Sequence, residues 1–186
     1  MGLVKKIRGA QGWRGWARDL AIACCIALII MVFIKPTIVQ ERSMQPTLYA
    51  NNYILLSRQA YLFSEPRPGD IIVFNSTLPL NENDPNNGNK LLIKRVIAVY
   101  GDTITIIDGH VYINGELQYE PYIIGTETPG HVIDKVIPRG TVFVMGDNRP
   151  QSIDSRSARL GVIDISDIVG KAFFRLHPFS EMGIIR

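Results

Sequence analysis

Three stretches hold side chains that could do chemistry on one another. Lys94 interrupts an otherwise apolar, strand-like run, LLIKRVIAV. Alternation puts it on one face with Leu92, Val96 and Ala98, and Arg95 on the other with Ile93, Ile97 and Val99. Burial among aliphatic groups disfavours the ammonium. Bringing the amine from about 10.4 to near 7 takes roughly 4 kcal/mol, within reach of desolvation. A neutral lysine is a competent general base for a hydroxyl nucleophile. The same lysine on an edge strand would instead snorkel to water and discourage edge pairing, and the strand alone does not choose between the two.

The second stretch is QERSMQPTLY, residues 40–49. Ser43 there fits a helix N-cap, with Pro46 in the first turn of a short helix near Gln45 to Tyr49. A serine where extended chain meets a turn also exposes its Oγ and sets its own N–H beside a developing oxyanion. The third stretch, MGDNRPQSIDSR (145–156), is a turn-rich loop in which Asp147, Arg149, Asp154 and Arg156 could form a salt-bridged brace. His110, His131 and His177 each lack an accompanying nucleophile motif and are expected to be structural or surface residues. No histidine or cysteine cluster suggests a metal, and no cofactor is expected.

These stretches follow an uninterrupted apolar run, Leu20 to Ile34. As a helix the run covers roughly 22 Å against about 30 Å of hydrocarbon. Arg18 and Lys35 can snorkel, Trp13 and Trp16 suit the headgroup region, and Pro36 offers a stop, so a transmembrane anchor over 17–36 is expected. A cleaved signal peptide would need an Ala-x-Ala-like site after the run, where KPTIVQERS stands instead. Lys5, Lys6, Arg8, Arg14 and Arg18 precede the run. The positive-inside rule therefore makes residues 1–16 a cytoplasmic tail and 37–186 extracytoplasmic. Ser43 then lies at most about 30 Å of extended chain beyond Ile34.

Cys24 and Cys25, the only cysteines, both fall inside the apolar run and cannot staple the outer part. A net charge of +3, with much of the basic excess before the anchor, does not indicate a nucleic-acid surface. The membrane lipid is the expected contact, and nothing in the sequence specifies an oligomeric state.

After the anchor, β-prone runs alternate with Gly, Pro, Asn and Asp, and no segment sustains a helical period. Strands are predicted at 53–57, 70–74, 91–99, 103–107, 110–113, 141–145 and 169–176. Asp108-Gly109 and Asn114-Gly115 are hairpin signals, because both positions of a type I′ turn need positive φ. Residues 75–90, NSTLPLNENDPNNGNK, are expected to be a long exposed loop. The fold class is mainly β: an apolar helix, then an antiparallel β core.

SMQPTL, RPGDIIVF, KRVIAVYGD and GDNRPQSIDSR, in that order behind an N-terminal anchor, resemble the motif series of the bacterial signal peptidase I family. The resemblance implies a nucleophile at Ser43 and its general base at Lys94. It implies that Ser152 hydrogen-bonds and orients the lysine, that Asp154 and Arg156 form a bracing ion pair, and that Met44 lies near the substrate pocket. It further implies an antiparallel catalytic core with a small β insertion, placed here at 103–140. The implied activity is cleavage of exported preproteins after a small residue, with small side chains at −1 and −3. Substrate is expected to bind extended against the stretches before Ser43 and before Lys94.

Two positions depart from the family pattern. Some members carry a serine two residues before the nucleophile, where this chain has Glu41, so only the Ser43 N–H is assigned to the oxyanion. A carboxylate there is unfavourable beside developing negative charge, and Glu41 is expected to point away. Pro150 and Gln151 replace the usual acidic or amide pair after GDNR. The alternative from another class is a non-enzymatic anchored β module that binds a partner, in which Ser43 and Lys94 would lie far apart. A self-cleaving repressor of Ser/Lys type would need a DNA-binding domain, and none precedes the anchor.

Overall fold

The computed structural model describes residues 13–81 and 84–185. Lys5, Lys6 and Arg8 of the expected tail lie outside them. A 21-residue helix, α1 (Trp13–Phe33), comes first. At about 1.5 Å per residue it is roughly 31 Å long, enough to match a hydrocarbon core, and its apolar part is wholly unburied by the rest of the chain. The helix begins before the apolar run and ends one residue short of it. Ile34 instead opens the first strand, β1 (Ile34–Ile38), so Ile34 to Pro36 are sheet and not anchor helix.

The strands that follow are β2 (Tyr53–Ser57), β3 (Ile71–Asn81), β4 (Asp84–Ala98), β5 (Thr103–Ile107), β6 (His110–Ile113), β7 (Glu116–Leu117), β8 (Val132–Val136), β9 (Thr141–Met145), β10 (Ile163–Asp164), β11 (Ile168–His177) and β12 (Gly183–Ile184). The larger sheet runs β1-β2-β11-β3-β4-β9-β10, with β12 also on β11; the smaller runs β7-β6-β5-β8. Every pairing is antiparallel. The smaller sheet is drawn wholly from 103–136, the β insertion. Its hairpins close as their sequences require, with positive φ at Asp108, Gly109, Asn114 and Gly115.

Residues 75–81 and 84–90 are strand, not loop. β3 and β4 continue as a long hairpin through Asn75↔Leu91, Pro79↔Asn89 and Asn81↔Asp84, with register breaks on either side of Pro79. Polar side chains do not oppose pairing when they face water. The hairpin is tied down by the Ser76 hydroxyl, which donates to the Lys90 carbonyl, and by Leu78, buried beside Phe74 and Leu92.

Alternation along β4 holds at first: Leu92 and Val96 pack with Ile72 and Phe74, while Ile93 packs with Val39, Met44 and Ile54. It fails after Val96, where the register against β9 shifts, and Ile97 and Ala98 enter the same third cluster with Ile104, Phe143 and Met145. Ala98 was expected on the face of Lys94. The extra residue turns it over and couples the end of β4 to the insertion.

Candidate active site

Ser43 stands in a single turn between β1 and β2. Its bonds run from the Gln45 N–H to the Arg42 carbonyl and from the Leu48 N–H to the Met44 carbonyl, leaving the Ser43 N–H out of the turn. Met44 and Leu48 anchor the turn from below, both fully buried with Ile54 and Ile93. Lys94 lies in the middle of β4, opposite Ile72. It therefore does not snorkel from an edge: β4 is flanked by β3 and β9, and the lysine side chain is 1% exposed.

The Lys94 Nζ lies 2.8 Å from Ser43 Oγ and also donates to the Ile93 carbonyl at 3.1 Å. Burial drives the Lys94 pKa below the ordinary lysine value. Glu41 and Asp154 oppose that shift, Arg156 assists it, and Asp147 opposes it weakly. The result is an amine that gives up its proton more readily, in contact with a hydroxyl that it can deprotonate.

The loop after β9 closes the other side. The Asn148 N–H donates to the Ser43 carbonyl at 2.9 Å and its side-chain amide to the Arg42 carbonyl at 3.3 Å. Gly146 sits against Ser43 and Ser152, and a Cβ there would overlap both the Ser43 carbonyl oxygen and the Ser152 hydroxyl. Gly146→Ala is therefore expected to displace the Ser43 turn and cut kcat/KM on a peptide substrate by about a hundredfold, the cost of an ångström-scale misplacement.

The expected brace is only partly internal to this loop. Asp154 and Arg156 form a two-pronged ion pair at 2.8 Å per prong, and Asp154 also accepts from the Gly146 N–H. Asp147 instead pairs with Arg95 at 2.9 and 2.7 Å, and Thr47 donates to the same carboxylate. Arg149 reaches Glu120 and Thr128 in the segment after β7. Tyr122, from that segment, lies over the Arg95 guanidinium at 4.0 Å. Reasoning from sequence missed the Arg95–Asp147 and Arg149–Glu120 pairs. A signal existed for the first: an arginine next to Lys94 in an apolar strand needs a carboxylate, and GDNR holds one.

The structure places three of the expected residues as follows. Ser152 Oγ is buried without a hydrogen-bond partner, and Lys94 does not bond to it, because the amine turns towards Ser43, Ile93 and Glu41. Met44 is fully buried against Val39, Ile54, Val73 and Ile93, which line a neighbouring cleft, so it lies near that cleft without being one of its lining residues. Glu41 does not point away, since its Oε2 lies 4.0 Å from Lys94 Nζ.

A cleft of about 950 Å³ lies beside this pair, its lining reaching Glu41 and Ile93 but neither Ser43 nor Lys94. One wall is 35–41, the other Lys90 to Ile93, with Ile54 and Val73 between them. No group of three or more possible metal-ligating side chains occurs among the described residues.

Residues 13–177 match the family model described as signal peptidase, peptidase S26. Signal peptidase I of Bacillus licheniformis is 33% identical over 177 residues, covering 90% of each chain. A probable signal peptidase I of Synechocystis is 37% identical over 166 residues, 88% of this chain and 82% of its own. A crystal structure of a signal peptidase I from Enterococcus faecalis, 29% identical, aligns over 58% of this chain and 97% of its own with a TM-score of 0.46. The family match runs through the Ser43 turn, the Lys94 strand and the loop that closes on them both, and the chain belongs to the signal peptidases of peptidase family S26.

Proposed function

We propose that the protein is a membrane-anchored endopeptidase that removes signal peptides from exported preproteins, with Ser43 as nucleophile and Lys94 as general base. The observation that carries this reading is the 2.8 Å contact between Ser43 Oγ and the amine of a buried lysine. The same contact counts against a non-enzymatic module, which would leave the two residues apart.

In the proposed reaction, neutral Lys94 takes the Ser43 hydroxyl proton as Oγ attacks the scissile carbonyl carbon. The Ser43 N–H donates to the resulting oxyanion. Collapse breaks the C–N bond, the ammonium of Lys94 protonates the leaving amine, and the signal peptide is left as an ester on Ser43. Water, deprotonated by Lys94, then attacks the ester and frees the serine. Lys94 turns from its resting contacts to the unpartnered Ser152 hydroxyl during turnover, which then orients it, and the Asp154–Arg156 pair holds Gly146 and hence the loop against Ser43.

Substrate lies extended in the cleft between 38–41 and Lys90 to Ile93, where backbone pairing supplies affinity. Apolar Val39, Ile54, Val73 and Ile93 line the cleft and offer apolar contact to substrate side chains, with small residues at −1 and −3 as the family resemblance implies. Helix α1 crosses the bilayer with its N-terminus in the cytoplasm, and the β domain works at the outer surface, where the preprotein emerges.

Purified protein in detergent is expected to cut a preprotein after Ala-x-Ala. Replacing the −1 alanine with phenylalanine should reduce kcat/KM by at least about a hundredfold, since on the proposed specificity the −1 position takes only a small side chain. Equal cleavage of both would contradict the assignment of specificity to this cleft.

A further inference from the structure

Glu41 stands where the cleft meets the catalytic pair. Its carboxylate is 4.0 Å from Lys94 Nζ and the side chain is 45% exposed, so it touches both the buried amine and water. It also belongs to the stretch against which substrate would lie. On the Gly146 side of Ser43, Ser152 Oγ is buried and unpaired. The geometry poses a conflict. An anion beside the ammonium is favourable in the free enzyme, yet the same anion beside a tetrahedral oxyanion on Ser43 opposes the reaction.

We propose that Glu41 is a positioning residue that holds Lys94 charged in the free enzyme and is turned out to water when a substrate strand enters the cleft. Release of Glu41 frees the amine to lose its proton and to turn towards Ser152, whose hydroxyl has no other partner. The remaining charges facing Lys94, Asp154, Arg156 and Asp147, are fixed in ion pairs and are not displaced by a substrate. Glu41 is the one of these groups on the cleft wall. The inference rests on the Ser43–Lys94 reading, but its test is separate, because it concerns where the pH profile lies and not whether cleavage occurs.

The experiment is the pH dependence of kcat/KM and of kcat for the full-length protein in detergent and for Glu41→Gln and Glu41→Ala, with an Ala-x-Ala peptide. The kcat/KM profile reports the free enzyme and the kcat profile the complex. Both variants are expected to move the acid limb of kcat/KM to lower pH. At a pH on the wild-type limb this raises kcat/KM roughly threefold, the scale of a half-exposed ion pair. The kcat limb is expected to stay where it is. High salt should move the wild-type kcat/KM limb the same way and leave the variants unchanged. A kcat/KM limb that does not move, or moves to higher pH, overturns the proposal. So do folded variants inactive at every pH, which would make the carboxylate part of the chemistry. A kcat limb shifted as far as that of kcat/KM overturns the release by substrate. Loss of cleavage in Ser43→Ala or Lys94→Ala is the test of the underlying dyad and is read independently.

Discussion

Lys94→Met is expected to abolish cleavage while leaving the protein folded, and Ser43→Ala to do the same. Each should lower kcat by at least about a thousandfold, because the proposed nucleophile and its base would act as one unit. For the same reason the double variant should be scarcely worse than either single one. Lys94 is buried and donates to Ser43 Oγ and to the Ile93 carbonyl, which makes its amine the side-chain base in direct contact with the hydroxyl among the described residues. Methionine keeps the length and apolar stem of the lysine and removes only the ionisable group.

The ionisation of Lys94 fixes the pH dependence. Its pKa is lowered in the folded state by desolvation, and the unfolded chain keeps the ordinary value. In the proposed mechanism only neutral Lys94 can act as the base, so activity should rise with pH through the lowered pKa. Below that pKa the folded protein carries a buried ammonium, which is a stability penalty. As pH rises towards the ordinary lysine value the unfolded state binds more protons than the folded one, so the penalty fades. Lys94→Met should thus be at least as stable as the wild type near neutral pH, with a difference that shrinks as pH rises, measured by thermal melts in detergent. A function that costs stability in this way is what a site built for catalysis shows.

Asp147→Ala is expected to destabilise the protein by about 3–5 kcal/mol, because Arg95 would be left charged and buried with its two-pronged partner gone. In a chain of this size that lowers Tm by roughly 10 °C or more. The effect should reach the active site, since Arg95 is next to Lys94 and Asp147 next to Gly146. Replacing both partners with apolar residues should recover much of the stability but not the activity, because Thr47 and Tyr122 also pack on the pair. Denaturant melts of the single and double variants separate the two effects.

Much of this organisation was legible in the chain. Strands 53–57, 103–107, 110–113 and 141–145 coincide with the observed ones, because each is a short β-prone run bounded by turn residues. The Asp-Gly and Asn-Gly turns fixed the meander for the same local reason. β1 was hidden because Ile34 continues the apolar run of the helix, and composition does not mark where helix becomes strand. The β3–β4 hairpin was hidden because its residues are polar, and pairing on an exposed ribbon needs no apolar alternation. Ala98 was assigned to the wrong face because a one-residue register shift leaves no mark in a run of aliphatic residues.

The candidate site followed a similar division. Lys94 announced itself as a charge in an apolar strand, and the motif resemblance supplied Ser43, fifty-one positions away. The partner of Arg95 and the direction of Glu41 are tertiary facts. Both depend on how the loop after β9 and the turn after β1 meet over β4: the sequence signals that Arg95 needs a carboxylate, but no local pattern encodes where Glu41 points.

The most direct test of the Ser43–Lys94 account is to mix the enzyme with an Ala-x-Ala preprotein, quench in acid during turnover, and map the protein by mass spectrometry. The expected result is the signal-peptide fragment esterified through its terminal carboxyl to the peptide containing Ser43, absent from Ser43→Ala and from Lys94→Met. An adduct on another residue, or continued turnover in either variant, would contradict it.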